Sequence, residues 1–371
     1  MPFLLKKITL VSLCYAYRLI RGNATHVPQI PRAFAVIQMA KLGDMVCTTP
    51  VFHALKMKYP EAQVTVVGNT VNKALLQGNS DIDSYAPFPG LLALASFLRK
   101  ERFDAVIVVG PDIASLAAAY LSNARCILAP EVTNGSSPLC DRWYRALLPL
   151  VIVRAHAMGS YAPREYLRLL EPLSIQTDDT AKHLGYSEDA RANVDAFINE
   201  HELRSGAALV GILPRAGNKV KEWPVERFVE VATTLAGKGS CVVLIGGPDD
   251  SVTGEIIAEQ VAEVVNACGR FALDETKAFI DSLDLLIGVD TGPVYIAEAF
   301  GTPTIDIVGP MDEREQPPIG ERHIVLTPPS PRTPELHIMD AHPKDEREAR
   351  RQTLAITVDA VTSASYRLLR I

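Results

Sequence analysis

The sequence predicts an α/β chain of two domains, each built on a doubly wound parallel sheet. Three observations predict it. Short apolar runs bounded by turn residues alternate with segments of helical apolar spacing. The alternation occurs once in each half of the chain. A chain of 371 residues is also long for one core and comfortable for two.

In the first half, "AFAVIQM", "AQVTVVG" and "DAVIVVG" read as buried strands. Between the first two, "MVCTTPVFHALKMKYP" sets Val46, Val51, Leu55 and Tyr59 at helical spacing and stops at Pro60. Buried strands separated by helices imply a parallel sheet with crossovers. In the second half, "ALVGILP", "CVVLIGG", "LLIGVD" and "TPTIDIVG" are the strands, with helices expected at Val225–Ala236, Gly254–Val264 and Pro293–Phe300. The strand pattern lapses near residues 174–190, which reads as the linker, and a helix is expected from Glu188. The expected divisions are an N-terminal segment at 1–30, a first domain at 31–187, a second at 188–345 and a final helical segment at 346–371. The proline-rich "PPSPRTPELHIMDAHPKDERE" reads as an extended surface loop. Two such domains facing each other leave a cleft at the carboxyl ends of both sheets, where ligands of these sheets bind.

Composition removes several classes of function. With 48% apolar and 22% charged residues the chain is an ordinary globular one. A formal net charge of −6 supplies no basic field, so no nucleic-acid partner is expected. Six scattered cysteines without a CxxC pair fit a reducing cytoplasm. The eight histidines lack metal-ligand spacing, Asp81 to Asp83 reads as a turn rather than an acid pair for a cation, and no metal or cofactor is expected. The N-terminal "FLLKKITLVSLCYAYRLIRG" is uncharged only from Ile8 to Tyr17, too short to span a bilayer. At roughly 100° per residue, Lys6, Lys7, Arg18 and Arg21 share about 120° of arc, as in a basic helix lying on an anionic membrane surface. A helix docked on the protein's own core is the alternative. A signal peptide is disfavoured by Arg18 and Arg21 and by the lack of a clear cleavage site.

Four segments hold candidate chemistry. In "KLGDMVCTTP", Gly43 and Asp44 follow the first strand, where a carboxylate can face the cleft or cap the next helix. No glycine-rich dinucleotide fingerprint occupies that turn, which argues against a nicotinamide dehydrogenase and leaves it a remote third reading that absence of cofactor binding would dismiss. In "LPRAGNKVKEWP", Ala216 and Gly217 let the backbone approach a ligand, and Lys221 can neutralise a phosphate or remain a solvated loop lysine. In "GVDTGPVYIAEAFGTP", Thr291 and Gly292 present free amides at a helix N-terminus opened by Pro293, an anion site. Asp290 would repel a phosphate and is assigned to sugar hydroxyls or to its own turn. In "LIGGPDD", Asp249 rather than Asp250 is assigned to ribose hydroxyls.

Taken together, "KLGDMVCTTPVFHALKMKYPEAQVTVVG", "LPRAGNKVKEWPVERFVEVATTLAGKGSCVVLIGGPDD" and "GVDTGPVYIAEAFGTPTIDIVGP" resemble glycosyltransferase family 9, the ADP-heptose:lipopolysaccharide heptosyltransferases. The resemblance runs from about residue 33 to 312. It implies a GT-B fold of two Rossmann-like domains, an N-terminal acceptor domain, a C-terminal donor domain and metal-independent inversion at the anomeric carbon. It further implies Asp44 as general base, Lys221 and the amides of Thr291 and Gly292 as ligands of the departing diphosphate, Asp290 as orienter of the sugar, and Asp249 as holder of the ribose. Residues 346–371 suit the helix that in GT-B enzymes crosses back to the N-terminal domain. The implied partners are a nucleotide sugar, ADP-heptose, and a glycolipid acceptor met by a monomer at the inner leaflet of the inner membrane. Two departures from the family pattern stand out: Tyr295 where many members carry histidine in "DTGPxH", and Arg215 in place of a glycine common in the phosphate loop. The rival readings are a sugar-nucleotide epimerase and a non-catalytic assembly factor that binds the nucleotide sugar. Asp44 together with Lys221 argues against the latter, since a pure binder needs no base.

Overall fold

The computed structural model describes residues 2–135, 137–204 and 207–370. The chain divides into two compact units, the first of Met1–Lys73, Asn79–His183 and Ile338–Asp340, the second of Ala74–Gly78, Leu184–His337 and Ala341–Ile371.

The first unit carries a parallel sheet of β1 (Ala33–Gln38), β2 (Gln63–Gly68), β3 (Ser84–Pro87), β4 (Ala105–Val108), β5 (Cys126–Asn134) and β6 (Ile152–Ala157) in the order β3-β2-β1-β4-β5-β6. Phe34 on β1 faces Val64 on one side and Ala105 on the other. The strand order reverses between β1 and β4, so the crevice of this sheet opens beyond the carboxyl end of β1. The second unit repeats the plan with β7 (Leu209–Leu213), β8 (Cys241–Leu244), β9 (Val264–Asn266), β10 (Leu285–Val289), β11 (Thr304–Ile307) and β12 (His323–Leu326), ordered β12-β11-β10-β7-β8-β9. Its reversal lies between β7 and β10.

Strands β3, β5, β6, β9 and β12 were not expected from the sequence. The reasons are local. β5 contains Pro130, β6 carries Arg154 and His156, and β3, β9 and β12 are only three or four residues long. The helix expected across Val46 to Tyr59 is two, Leu42–Val46 and Thr49–Lys58, because Pro50 has no N–H to continue the ladder and is instead accommodated in the first turn of the second.

Helices Glu346–Leu354 and Val358–Leu369 belong to the second unit. Ile356, Val361 and Ala364 join Val210, Ile212, Trp223, Phe228, Leu285 and Ile305 in its core. Burial of each such aliphatic side chain contributes about 1.5–3 kcal/mol to this core.

Helix Pro2–Arg21 docks on the first unit. Lys7 Nζ pairs with Asp141 Oδ2 at 2.6 Å, Tyr15 donates to the carbonyl of Ala146, Arg21 donates to the carbonyls of Tyr120 and Ala124, and Cys14 is buried. Two of its four cations therefore face protein, whereas Lys6 near one end and Arg18 near the other are exposed, as are Leu19 and Ile20, 89% and 83% accessible. Among the described residues no helix is long and apolar enough to cross a membrane.

Two short passages of chain in the second unit, 74–78 and 184–186, run against each other. A Cβ built on Gly185 would lie 2.2 Å from the Gly78 carbonyl oxygen, and Gly78 itself has φ +83°, so side chains are excluded from both. Lys277, fully buried, fastens this crossing. Its Nζ donates to the carbonyls of Leu75, Gln77 and Gly185 at 2.9, 2.7 and 2.6 Å and pairs with Asp274 at 3.0 Å.

Candidate functional site

In the second unit the loops that follow β7 and β10 flank the strand-order reversal, and they carry Lys221 and Asp290 respectively. β10 is five buried residues and ends at Val289. Asp290, 5% accessible, comes next, its amide held by the Ile307 carbonyl at 3.2 Å. Lys221 Nζ meets Asp290 Oδ2 at 2.7 Å, and the Tyr295 hydroxyl donates to Oδ1. Both carboxylate oxygens are thus engaged, one by a cation and one by a neutral donor.

Lys221 ends a short turn, Lys219–Lys221, that is anchored from beneath. The Asn218 side chain accepts from the Val220 amide, and Thr353 donates to the Val220 carbonyl at 2.6 Å. Trp223 is buried, donating from Nε1 to the Ile356 carbonyl at 2.9 Å and meeting Phe228 edge to face. The end of helix Glu346–Leu354 and the turn after it therefore position the lysine. Such backbone anchoring holds a flexible ammonium in one place.

Helix Gly292–Phe300 starts beside this pair, with Pro293 in its first turn. Thr291 at the N-cap is extended, and its hydroxyl donates back to the Val289 carbonyl at 3.0 Å instead of capping the helix. The first amides of a helix have no intrahelical partner, and here the cap side chain does not take them. A positive helix end and a lysine thus lie together at one sheet edge.

Asp306 on β11 was missed by sequence reasoning, although a lone carboxylate inside the apolar "TPTIDIVG" is a visible signal. It is buried with no hydrogen-bond partner on Oδ1. Burial, reinforced by the charges of Asp290 and Glu298 and opposed by Lys221, pushes its pKa well above the usual carboxylate range. Its folded pKa being raised, the wild type loses stability as pH climbs above about 4, where an unfolded aspartate ionises. Asp306→Asn has no such loss. Its stability relative to wild type, read from chemical denaturation at several pH values, is expected to rise between about pH 4 and 7.

The remaining candidates occupy neighbouring turns. Arg215 pairs with Glu222 at 3.2 Å and donates to the Asp249 carbonyl at 2.9 Å. Asp250 accepts from the Gly247 amide at 2.8 Å and so serves its own turn, whereas Asp249 is exposed. Ala216 is half-buried, and a Cβ on Gly217 would meet nothing within 4 Å, leaving open space over that loop.

In the first unit, Gly43 and Asp44 lie beyond β1 at the other reversal. Helix Leu42–Val46 has Lys41 at its N-cap, so Asp44 stands inside the first turn and is not the capping residue. A carboxylate there is favoured by the helix dipole. Buried Gln38 organises the approach, donating to Thr48 Oγ1 at 3.0 Å and accepting from the Ala40 amide at 3.2 Å, while Thr48 donates to the Asp44 carbonyl at 2.7 Å. Two arginines of this unit are ion-paired, Arg145 with Glu131 at 2.9 Å and Arg154 with Glu171 at 3.2 Å.

Histidine spacing in the sequence showed no metal ligands, yet the fold brings two groups together, His53 with Asp81 and His183, and Asp312 with Glu315 and His337. Neither includes the residues at the two reversals. In the second group, Arg314 already takes both oxygens of Asp312, at 2.8 and 2.6 Å.

The sequence model of glycosyltransferase family 9 (heptosyltransferase) matches residues 91–345. Lipopolysaccharide heptosyltransferase 3 of Escherichia coli is 27% identical over 285 residues, 73% of this chain and 81% of that protein. Lipopolysaccharide heptosyltransferase 2 of Salmonella typhimurium is 26% identical over 318 residues, 78% of this chain and 86% of that protein. Among solved structures, a family 9 glycosyl transferase from Veillonella parvula superposes with a TM-score of 0.74 at 22% identity, covering 93% of this chain and 99% of that one. The E. coli ADP-heptose heptosyltransferase II gives 0.72 at 20%, covering 91% and 98%. At these identities the superpositions speak to the fold, two doubly wound sheets.

Proposed function

Because the chain belongs to glycosyltransferase family 9, we propose that it transfers a heptose or related sugar from an ADP-sugar to a glycolipid of the lipopolysaccharide-core type, with inversion and without a metal in the transfer step. The observation that carries this reading is the Lys221–Asp290 pair beside an uncapped helix N-terminus at the second sheet's reversal. In the reaction Asp44 takes the proton of the acceptor hydroxyl, whose oxygen attacks the anomeric carbon as the bond from that carbon to the diphosphate oxygen breaks. Lys221 turns from Asp290 to the leaving diphosphate, and the amides of Thr291 and Gly292 share its charge. A fixed cation and a helix end are sufficient to supply the positive field that this departure requires. Asp290, kept in place by Tyr295, then accepts from hydroxyls of the sugar. Asp249 holds the ribose, and Gly43, Ala216 and Gly217 let the donor approach the backbone.

Lys221→Gln tests the leaving-group role. Loss of one charge donor to the transition state lowers kcat by about 10²–10³-fold, whereas a lysine that only pairs with Asp290 would leave kcat intact in folded protein. Exposed Leu19, Ile20, Lys6 and Arg18 support a peripheral position at an anionic inner-leaflet surface on the cytoplasmic side, where a lipid-linked acceptor would be presented.

A further inference from the structure

Arg215 is a cation that the transfer reaction leaves without a task, and it stands where a glycine is common in the family's phosphate loop. It follows β7 in the second unit, between buried Pro214 and the turn of Ala216 and Gly217. Its Nε pairs with Glu222 Oε1 at 3.2 Å, and its Nη1 donates to the Asp249 carbonyl at 2.9 Å and lies 3.8 Å from Asp250 Oδ1. One guanidinium thereby reaches from the loop after β7 to the loop after β8.

The loop it reaches is tied to itself. The Gly247 amide donates to Asp250 Oδ2 at 2.8 Å, the Asp250 amide to the Gly247 carbonyl at 3.0 Å, and the Gly269 amide to the Gly246 carbonyl at 2.9 Å. Arg215 is held less firmly, its side chain 33% accessible and that of Glu222 25%. An ion pair so open to water contributes little and can be given up for a stronger partner. The Asp249 carbonyl is neutral and does not cancel the arginine's charge.

Strand order gives the direction in which a donor lies. β10, β7 and β8 are consecutive neighbours in the sheet. On the transfer reading, Lys221 and the helix end after β10 take the outer phosphate, which carries the sugar, and Asp249 after β8 takes the ribose. The inner phosphate then falls between them, over the start of the loop after β7, where a Cβ on Gly217 would meet nothing within 4 Å. A negative charge there is repelled by the carboxylates of Glu222, Asp249 and Asp250 unless a cation is at hand. Arg215 is at hand, and its planar fork matches two phosphate oxygens.

We infer that Arg215 leaves Glu222 and binds the inner phosphate of the nucleotide sugar, the one joined to the ribose. The inference rests on the donor assignment made above and adds to it a residue that distinguishes a nucleotide from a nucleoside. The bond that breaks lies beyond the outer phosphate, so charge on the inner one changes little in the transition state. Arg215 therefore contributes to donor binding and not to the chemical step, in contrast to Lys221.

The test measures binding of ADP to the full chain by calorimetry, with AMP and adenosine as competitors, in wild type and in Arg215→Gln, circular dichroism reporting the fold. ADP and AMP affinities are expected to fall by about 10-fold or more, as when a charged hydrogen-bond donor is lost, and adenosine affinity to stay within about two-fold. Arg215→Lys keeps the charge without the fork and should fall between. In turnover the KM for the donor rises in parallel, while kcat changes by less than about three-fold. An arginine that only staples two loops would weaken all three ligands alike. That result, or undiminished ADP affinity in the folded variant, would overturn the inference. Should Arg215→Gln fail to fold, the ratio of ADP to adenosine affinity in Arg215→Lys decides on the same terms. The expected pattern in a protein that transfers no sugar would support Arg215 and sink the transfer reading, whereas wild type that binds no ADP would sink both.

Discussion

Replacing Asp44 with asparagine is expected to lower kcat by about 10²–10⁴-fold, the usual contribution of a positioned general base, while donor affinity stays within about two-fold. Asparagine keeps the shape of the side chain but cannot accept a proton at neutral pH. The structural cost is small, because Asp44 is not the N-cap of helix Leu42–Val46 and a first-turn carboxylate contributes about 0.3–1 kcal/mol through the helix dipole. Steady-state kinetics at saturating donor, with thermal unfolding of the same preparations, separates the two contributions. Wild-type turnover in a folded Asp44→Asn protein would leave Asp44 with only its dipole role.

The second large effect concerns stability. Lys277→Met is expected to destabilise the second unit by about 3–5 kcal/mol, as is usual when one partner of a buried ionic group is removed. The substitution orphans the carbonyls of Leu75, Gln77 and Gly185 and leaves Asp274 without its lysine. Burial holds the Lys277 pKa below the ordinary lysine value, with Asp274 opposing that shift. Gly185→Ala acts in the same direction by driving a methyl into the Gly78 carbonyl. Urea denaturation followed by tryptophan fluorescence in a Trp143→Phe background reads the second unit, since Trp223 lies in its core and Trp143 in the first unit. A loss of under about 1 kcal/mol in both variants would show that the crossing relaxes freely, as ordinary surface substitutions do.

These predictions differ in how far the sequence announces them. Asp44, Lys221 and Asp290 stand at strand ends, and a strand end followed by a helix pattern is legible as an apolar run meeting turn residues. The pairing of Lys221 with Asp290 is not legible, because 69 positions separate them and only the reversal between β7 and β10 makes their loops neighbours. Tyr295 looked like a simple departure from a family pattern, yet its hydroxyl holds Asp290 in the absence of a histidine. Asp81 was read as a turn, and it is one. Its meeting with His53 and His183 depends on Asn79, whose side chain links two segments 104 residues apart. Lys277 was invisible for the same reason: in sequence it is one polar position on helix Leu273–Asp281, and only the close contact of Gly78 and Gly185 gives its ammonium three carbonyls at once.

The central claim, sugar transfer with inversion from an ADP-sugar to a glycolipid, is tested most directly by one measurement. EDTA-treated enzyme is incubated with ADP-heptose and a lipopolysaccharide-core acceptor, and released ADP and the anomeric configuration of the glycolipid product are followed by NMR. The account predicts one ADP for each sugar transferred and a product whose anomeric configuration is opposite to that of the donor. Donor breakdown or rearrangement without an acceptor, retained configuration, or transfer that returns only when a divalent metal is restored would contradict it.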